Sequence, residues 1–206
     1  MFRFFFAAFF VLIFNQLFAQ SNSLQLLDTA YNLNFERIKA GDSLPVKWHK
    51  FNNIKGYKCV ADTQVKHGGN QSLLIEQTDS SNASSFASIV NVIPARYVGK
   101  EIEFRCYLKF QGVDNFAGIL IRIDDANHNT LQFNSLQPLG ISGTRDWQLY
   151  SIKTPLPPTA QWIFVATILG GAGKLWADDG QVLIDDKDIS WAPLKPNYVL
   201  YPPEKQ

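Results

Sequence analysis

This 206-residue sequence predicts an all-β fold, an antiparallel β-sandwich of jelly-roll type. Three observations point there. Glu101 to Phe110 and Phe116 to Asp124 alternate apolar and polar residues with period two, as a half-buried strand requires. Turn chemistry separates short apolar runs along the chain, as at His67-Gly68-Gly69-Asn70 and Asp125-Ala126-Asn127-His128-Asn129. After the first 19 residues no stretch holds helical periodicity over three turns. Roughly nine to eleven short strands at such spacing suit two packed sheets.

In chain order, residues 1–19 resemble an export signal more than a folded element. Met1-Phe2-Arg3 is a short basic start, Phe4 to Phe14 is almost wholly apolar, and Leu17-Phe18-Ala19 offers a cleavage site before Gln20. An apolar run of about 11 residues is short of the roughly 20 that span a bilayer, and a retained anchor is the alternative. The expectation is an exported protein, periplasmic, outer-surface or secreted, whose mature chain does not insert into the membrane. Residues 20–31 form a polar lead-in, residues 32–190 one β-sandwich domain, and residues 191–206 a proline-rich tail.

Within the domain, Lys58 to Val65 and Ser72 to Gln77 flank the His67 turn, and a Ser/Asn-rich loop leads to Ala87 to Ile93. In Glu101 to Phe110, the residues Ile102, Phe104, Cys106, Leu108 and Phe110 share one face. Glu103, Arg105, Tyr107 and Lys109 share the other. Phe116 to Asp124 sets Ile119, Ile121 and Ile123 against Leu120 and Arg122, and Leu131 to Ser135 sets Leu131 and Phe133 against Gln132 and Asn134. Trp162 to Leu169 is apolar on both parities, which predicts a central strand covered on both faces. A glycine-rich turn then precedes Trp176, and Gln181 to Asp185 is expected as a last short strand.

Composition excludes some functions. Nineteen basic and 18 acidic residues, with neither sign clustered, give a net charge of +1, which argues against the basic face that nucleic acid requires. Cys59 and Cys106 are the only cysteines, and alternation points both inward. Export permits a disulfide between them; two buried free thiols are the other reading.

No complete active site can be assembled, so the chain is not expected to be an enzyme. His49, His67 and His128 are scattered. Gly170-Gly171-Ala172-Gly173-Lys174 has Ile168 where a phosphate loop begins with glycine and Leu175 where it needs Ser or Thr. Asp125 opens like a calcium loop, but Thr130 and Leu136 occupy the positions of its glycine and glutamate. Gly140-Ile141-Ser142-Gly143 lacks the form of a nucleophile elbow. The carboxylate pairs Asp124/Asp125, Asp178/Asp179 and Asp185/Asp186 are sequence neighbours, which on a strand face opposite ways.

Several motifs taken together carry a resemblance. Asn32-Leu33-Asn34-Phe35-Glu36 with Pro45 and Trp48 resembles the opening of cellulose- and xylan-binding jelly-roll modules. Gly69-Asn70-Gln71-Ser72-Leu73 is similar to their strand entry, and Trp176-Ala177-Asp178-Asp179 to their closing strand. Gly99 to Phe104, Tyr107-Leu108-Lys109 and Gly143-Thr144-Arg145-Asp146-Trp147 resemble more closely a variant that precedes the catalytic domain of exported tail-specific serine peptidases. The resemblance spans about residues 32–186 and carries no peptidase domain, so no peptidase activity follows from it.

The resemblance implies a structural calcium ion held by Glu36 and Asp178 with backbone carbonyls; pairing of these carboxylates with a cation or turn amide is the alternative. For a ligand, alternation offers Arg105, Tyr107, Arg122, Gln132 and Asn134 as the polar face of a sheet, suited to a glycan or a related polar ligand; a solvated outer face is the alternative. Trp147 and Trp176 are expected in the core, whereas Trp48 and Trp191 are left undecided. The expected function is a non-catalytic binding module for carbohydrate or a related polar ligand. The rival is an accessory sandwich that docks to an envelope protein.

Overall fold

A computed structural model describes residues 31–51, 54–79, 81 and 86–196. The expected leader at 1–19, the lead-in up to residue 30 and the tail beyond 196 lie outside the described residues. Among the described residues eleven strands run in order: β1 Trp48–Lys50, β2 Tyr57–Asp62, β3 Ser72–Gln77, β4 Phe86–Pro94, β5 Glu101–Val113, β6 Phe116–Asp124, β7 Thr130–Ser135, β8 Gly143–Pro155, β9 Trp162–Gly170, β10 Lys174–Ile184 and β11 Lys187–Asp188. They build two antiparallel sheets, β1-β4-β9-β6-β7 and β2-β3-β10-β5-β8, with β11 on the end of β10. The fold is the β-sandwich jelly roll that the sequence predicts.

The alternation in β5 and β6 packs the interior. Ile102, Phe104, Cys106, Leu108 and Phe110 of β5 are buried, as are Ile119, Ile121 and Ile123 of β6 and Ile163, Val165 and Leu169 of β9. These inward residues belong to a single core cluster shared by both sheets. Because successive side chains on a strand point to opposite faces, the same residues that fill the core dictate which ones are left outside.

Two strands run longer than the sequence suggests. β10 is continuous from Lys174, through a register shift between Asp178 and Gln181, to Ile184. The glycines before Trp176 make a tight β9–β10 turn with Gly171 and Gly173 at positive φ, and Asp178-Asp179-Gly180 is a bulge within the strand. β8 covers 13 residues against β5; its mostly exposed side chains leave little apolar signal.

The tryptophans divide differently from expectation. Trp48 is buried, and its indole N–H donates to the Asn32 carbonyl at 2.8 Å. Trp176 is also buried, though on the outward side of β10, with its N–H on Asp62 Oδ2 at 2.8 Å. Trp147 is half-buried on the outer face and Trp191 is exposed. Trp147 therefore does not belong to the core.

Cys59 and Cys106 are free and buried. Cys59 lies on β2 and Cys106 on β5, with β3 and β10 between them in the sheet. Neighbouring strands are about 4.8 Å apart, so three steps exceed the ~7 Å Cα limit for a disulfide. Burial pushes the Cys59 thiol up to about 11, and desolvation raises Cys106 further. Both thiols are expected to react with a thiol reagent only after denaturant is added. Rapid reaction in the native state, or a disulfide found by mass, would contradict this.

Burial alone would raise the Asp62 carboxyl, but the Trp176 indole and the amides of Gln64 and Val65 hold it below its ordinary 3.8. A lowered acid stabilises the folded chain above its unfolded pKa and loses that contribution as pH falls through the folded value. The melting-midpoint gap between wild type and Asp62→Asn is therefore expected to be steady near neutral pH and to close below pH 3.8. A gap that widens in acid would contradict it.

Candidate functional site

The five residues expected to form one ligand face occupy three places. Arg105 and Tyr107 lie on the outer face of the six-stranded sheet, on β5. Arg122 lies on the outer face of the five-stranded sheet, on β6, on the opposite side of the molecule. Gln132 and Asn134 stand opposite Ile123 and Ile121, so they point to the inward side of β7. There they bridge to β8: Asn134 Nδ2 donates to the Lys153 carbonyl at 2.8 Å, and Thr154 Oγ1 reaches Gln132 Oε1 at 3.5 Å. They tie together two edge strands, the places where unpaired backbone otherwise invites association. The expectation fails because alternation separates inward from outward but does not say which sheet a strand joins. β5 and β6 are consecutive yet belong to different sheets.

Around Arg105 and Tyr107 the six-stranded sheet carries an aromatic cluster that its own loop already covers. The His67 ring stacks on Tyr107 with centroids 3.7 Å apart and planes at 14°, and Trp147 meets His67 edge-on at 5.7 Å. His67 Nδ1 is 2.7 Å from Asp179 Oδ2. Arg105 Nε donates to Gln181 Oε1 at 2.8 Å, and Lys109 pairs with Asp146 at 2.5 Å. The upper face of Tyr107 is thus occupied, Lys109 is paired with a carboxylate, and Arg105 is held by an amide oxygen.

The five-stranded sheet presents a different surface. Cross-strand register aligns Val92, Phe164, Arg122 and Phe133 in one row across β4, β9, β6 and β7. Phe133 is 58% exposed and Val92 37% exposed, and Phe164 is half-buried between them. In the next row Trp162 lies beside Asp124, and the His128 ring stands parallel to Trp162 at 6.4 Å and 9°. The apolar run Trp162 to Leu169 is covered on its inner side, and of its outward residues Ala166 and Ile168 are buried as well, so that only Trp162 and Phe164 pave this face.

Arg122 is the polar centre of the row. Its Nε and Nη2 donate to Asp124 Oδ1 and Oδ2 at 2.8 and 2.7 Å, a bidentate pair. The Asp124 side chain is only 1% exposed, and the guanidinium carbon lies 5.6 Å from the Phe164 ring centroid. The hydrogen bonds to Asp124 raise the Arg122 pKa above its ordinary value, so the group stays charged. Two of its five N–H donors are committed; the others remain for a ligand. The sequence signals for this face were Phe133 alternating with Gln132 and the second apolar parity of Trp162 to Leu169, both of which read equally well as core.

Glu36 and Asp178 reach the same 67–71 loop, and both meet backbone N–H groups there. Glu36 accepts from the Asn70 backbone amide (3.0 Å) and side chain (2.9 Å). Asp178 Oδ2 accepts from the amides of His67 (2.8 Å) and Gly68 (3.1 Å), and its Oδ1 from the Asp179 amide (2.8 Å). Burial pushes the Asp178 carboxyl up to about 6, against the pull of those amides. Calcium needs six to eight oxygens. At these two carboxylates the loop directs N–H groups, the positive ends of peptide dipoles, where a cation would need carbonyls. Among the described residues no three His, Cys, Asp or Glu side chains are gathered for a metal.

No known family profile matches the chain. An uncharacterized HTH-type transcriptional regulator of Bacillus subtilis (strain 168), YbfP, is 30% identical over 135 residues, which make up 65% of this chain and 45% of that protein. The chain thus spans less than half the length of the curated relative it matches. Among solved structures, the enzymatically active domain of bacteriophage CBA120 tailspike protein 4 is similar at a TM-score of 0.55 and 14% identity, covering 74% of this chain and 21% of that one. That likeness is one of fold alone. A CBM22-1 xylan-binding domain from Paenibacillus barcinonensis Xyn10C has a TM-score of 0.48 and 12% identity, covering 73% of this chain and 90% of that one. TmCBM61, solved with β-1,4-galactotriose, has a TM-score of 0.47 and 14% identity, covering 74% and 95%.

Removing Arg122 would leave the buried Asp124 carboxylate without its partner. Arg122→Met is expected to cost about 1–3 kcal/mol in urea denaturation, and Arg122→Lys less, since an ammonium keeps the charge but loses the bidentate fork. Wild-type stability in Arg122→Met would contradict the pairing.

Proposed function

We propose that this chain is a non-catalytic binding module that takes carbohydrate on the outer face of its five-stranded sheet. The observation that carries the reading is the aligned row Val92–Phe164–Arg122–Phe133, with Arg122 held by Asp124. A pyranose ring has an apolar face of C–H groups and an equatorial belt of hydroxyls. The exposed Phe133 ring and the half-buried Phe164 suit the first, and the remaining guanidinium donors suit the second. Because Asp124 fixes the guanidinium before any ligand arrives, little side-chain entropy is lost on binding. An open row across four strands favours successive units of an extended glycan over a small enclosed ligand.

Arg105 and Tyr107 remain the second candidate surface under the same reading, with His67 and Trp147 added to it. Tyr107 would need His67 to move before it could stack on a sugar. The reading places the protein outside the cytoplasm, delivered by the 1–19 leader.

The test is calorimetric titration against a panel of soluble glycans. For a glycan that binds, Phe133→Ala is expected to weaken affinity at least ~10-fold, the loss of ~1.4 kcal/mol of contact. Its melting midpoint should stay near wild type, because the ring is largely exposed. Tyr107→Ala should bind like wild type. Loss of binding in Tyr107→Ala alone would move the site to the six-stranded sheet, and no binding across the panel would favour docking to an envelope protein.

A further inference from the structure

Glu36 and Asp178 converge on the amides of one loop, on either side of Gly69. Asp178 takes the N–H groups of His67 and Gly68, and Glu36 takes that of Asn70 and, at 3.5 Å, that of Gln71. The 67–71 segment between β2 and β3 is thereby gripped from both ends by two carboxylates reaching in from different elements. Each carboxylate is itself fixed. Asp178 sits on β10 in register with Tyr107 of β5 and is wholly buried. Glu36 follows a loop pinned by Asn32, whose side chain donates to the carbonyls of Arg37 and Val46 and accepts from the Arg37 amide. The Gln71 side chain closes the arrangement by donating to the Phe35 carbonyl at 2.6 Å.

The loop's glycine is cut to this contact. A Cβ on Gly69 would lie 2.0 Å from Glu36 Oε1, and its φ of +55° already disfavours any other residue. The carboxylate can therefore approach the backbone closely only where no side chain stands. The geometry is that of an anion held by amides, the arrangement by which backbone nests bind negative charge, with the anion supplied by the chain itself.

We propose that Glu36 and Asp178 form a metal-free clamp on the 67–71 loop, and that the domain neither needs nor takes up calcium there. The clamp does by hydrogen bonding what a bridging cation would do by coordination: it joins the opening loop, the β2–β3 turn and β10. It also sets His67 on Tyr107, since the amide of His67 is one of the groups held. This inference is independent of where, or whether, a glycan binds.

The experiment is thermal melting of wild type, Glu36→Gln and Gly69→Ala, each in millimolar calcium and in excess chelator, with calorimetric titration of calcium into wild type. The wild-type midpoints are expected to coincide and the titration to show no binding. Both variants should melt several degrees lower than wild type, by the same amount in either buffer. A calcium-dependent rise in the wild-type midpoint that Glu36→Gln abolishes would overturn the proposal. So would variants as stable as wild type. Should either variant fail to fold, the wild-type calcium titration still decides between clamp and metal site.

Discussion

Burial of alternate side chains from β5, β6 and β9 between two sheets is the constraint on which the rest of this structure depends. Phe104, Leu108, Ile121 and Val165 are withdrawn from water because each stands on the inward parity of its strand. Fully burying one such side chain is worth roughly 1.5–3 kcal/mol, and a one-residue slip in any strand would turn its whole set outward. The register is thus held by the core, and the outer faces inherit it. Val92, Phe164, Arg122 and Phe133 line up across four strands only because Ile93, Val165, Ile121 and their neighbours are packed beneath them.

The same constraint explains what the sequence revealed. β5 was legible because its outward positions are polar, so the two parities differ; in β6 only the outward Arg122 and Asp124 give that signal, since Phe116, Gly118 and Leu120 share their parity. β8 was only partly legible, since its residues are mostly exposed and contribute few apolar ones. The β10 bulge was hidden because Asp178-Asp179-Gly180 has the composition of a turn, and only the pairing of Gln181 with Arg105 shows that the strand continues. The candidate ligand set suffered most. Strand parity located Arg105, Tyr107 and Arg122 as outward but could not place β5 and β6 in different sheets, and it took Gln132 and Asn134 for outward residues when their partners Ile123 and Ile121 face the core.

The two outer faces differ in what they leave available. On the six-stranded sheet, carboxylates and amides are spent on holding a loop, and that loop brings His67 down on the one tyrosine a sugar would use. On the five-stranded sheet the only buried carboxylate, among the described residues of that face, holds a guanidinium between the half-buried Phe164 and the exposed Phe133. Polar groups in one case close a surface and in the other prepare it. That contrast, more than composition, singles out the second face.

The most direct measurement is amide chemical-shift mapping of the labelled protein with a binding glycan. Shifts centred on Val92, Arg122, Phe133 and Phe164, with Arg105, Tyr107 and Trp147 unmoved, are the predicted result. Shifts centred on Tyr107 and Trp147, with the row across β4, β9, β6 and β7 unmoved, would contradict the account.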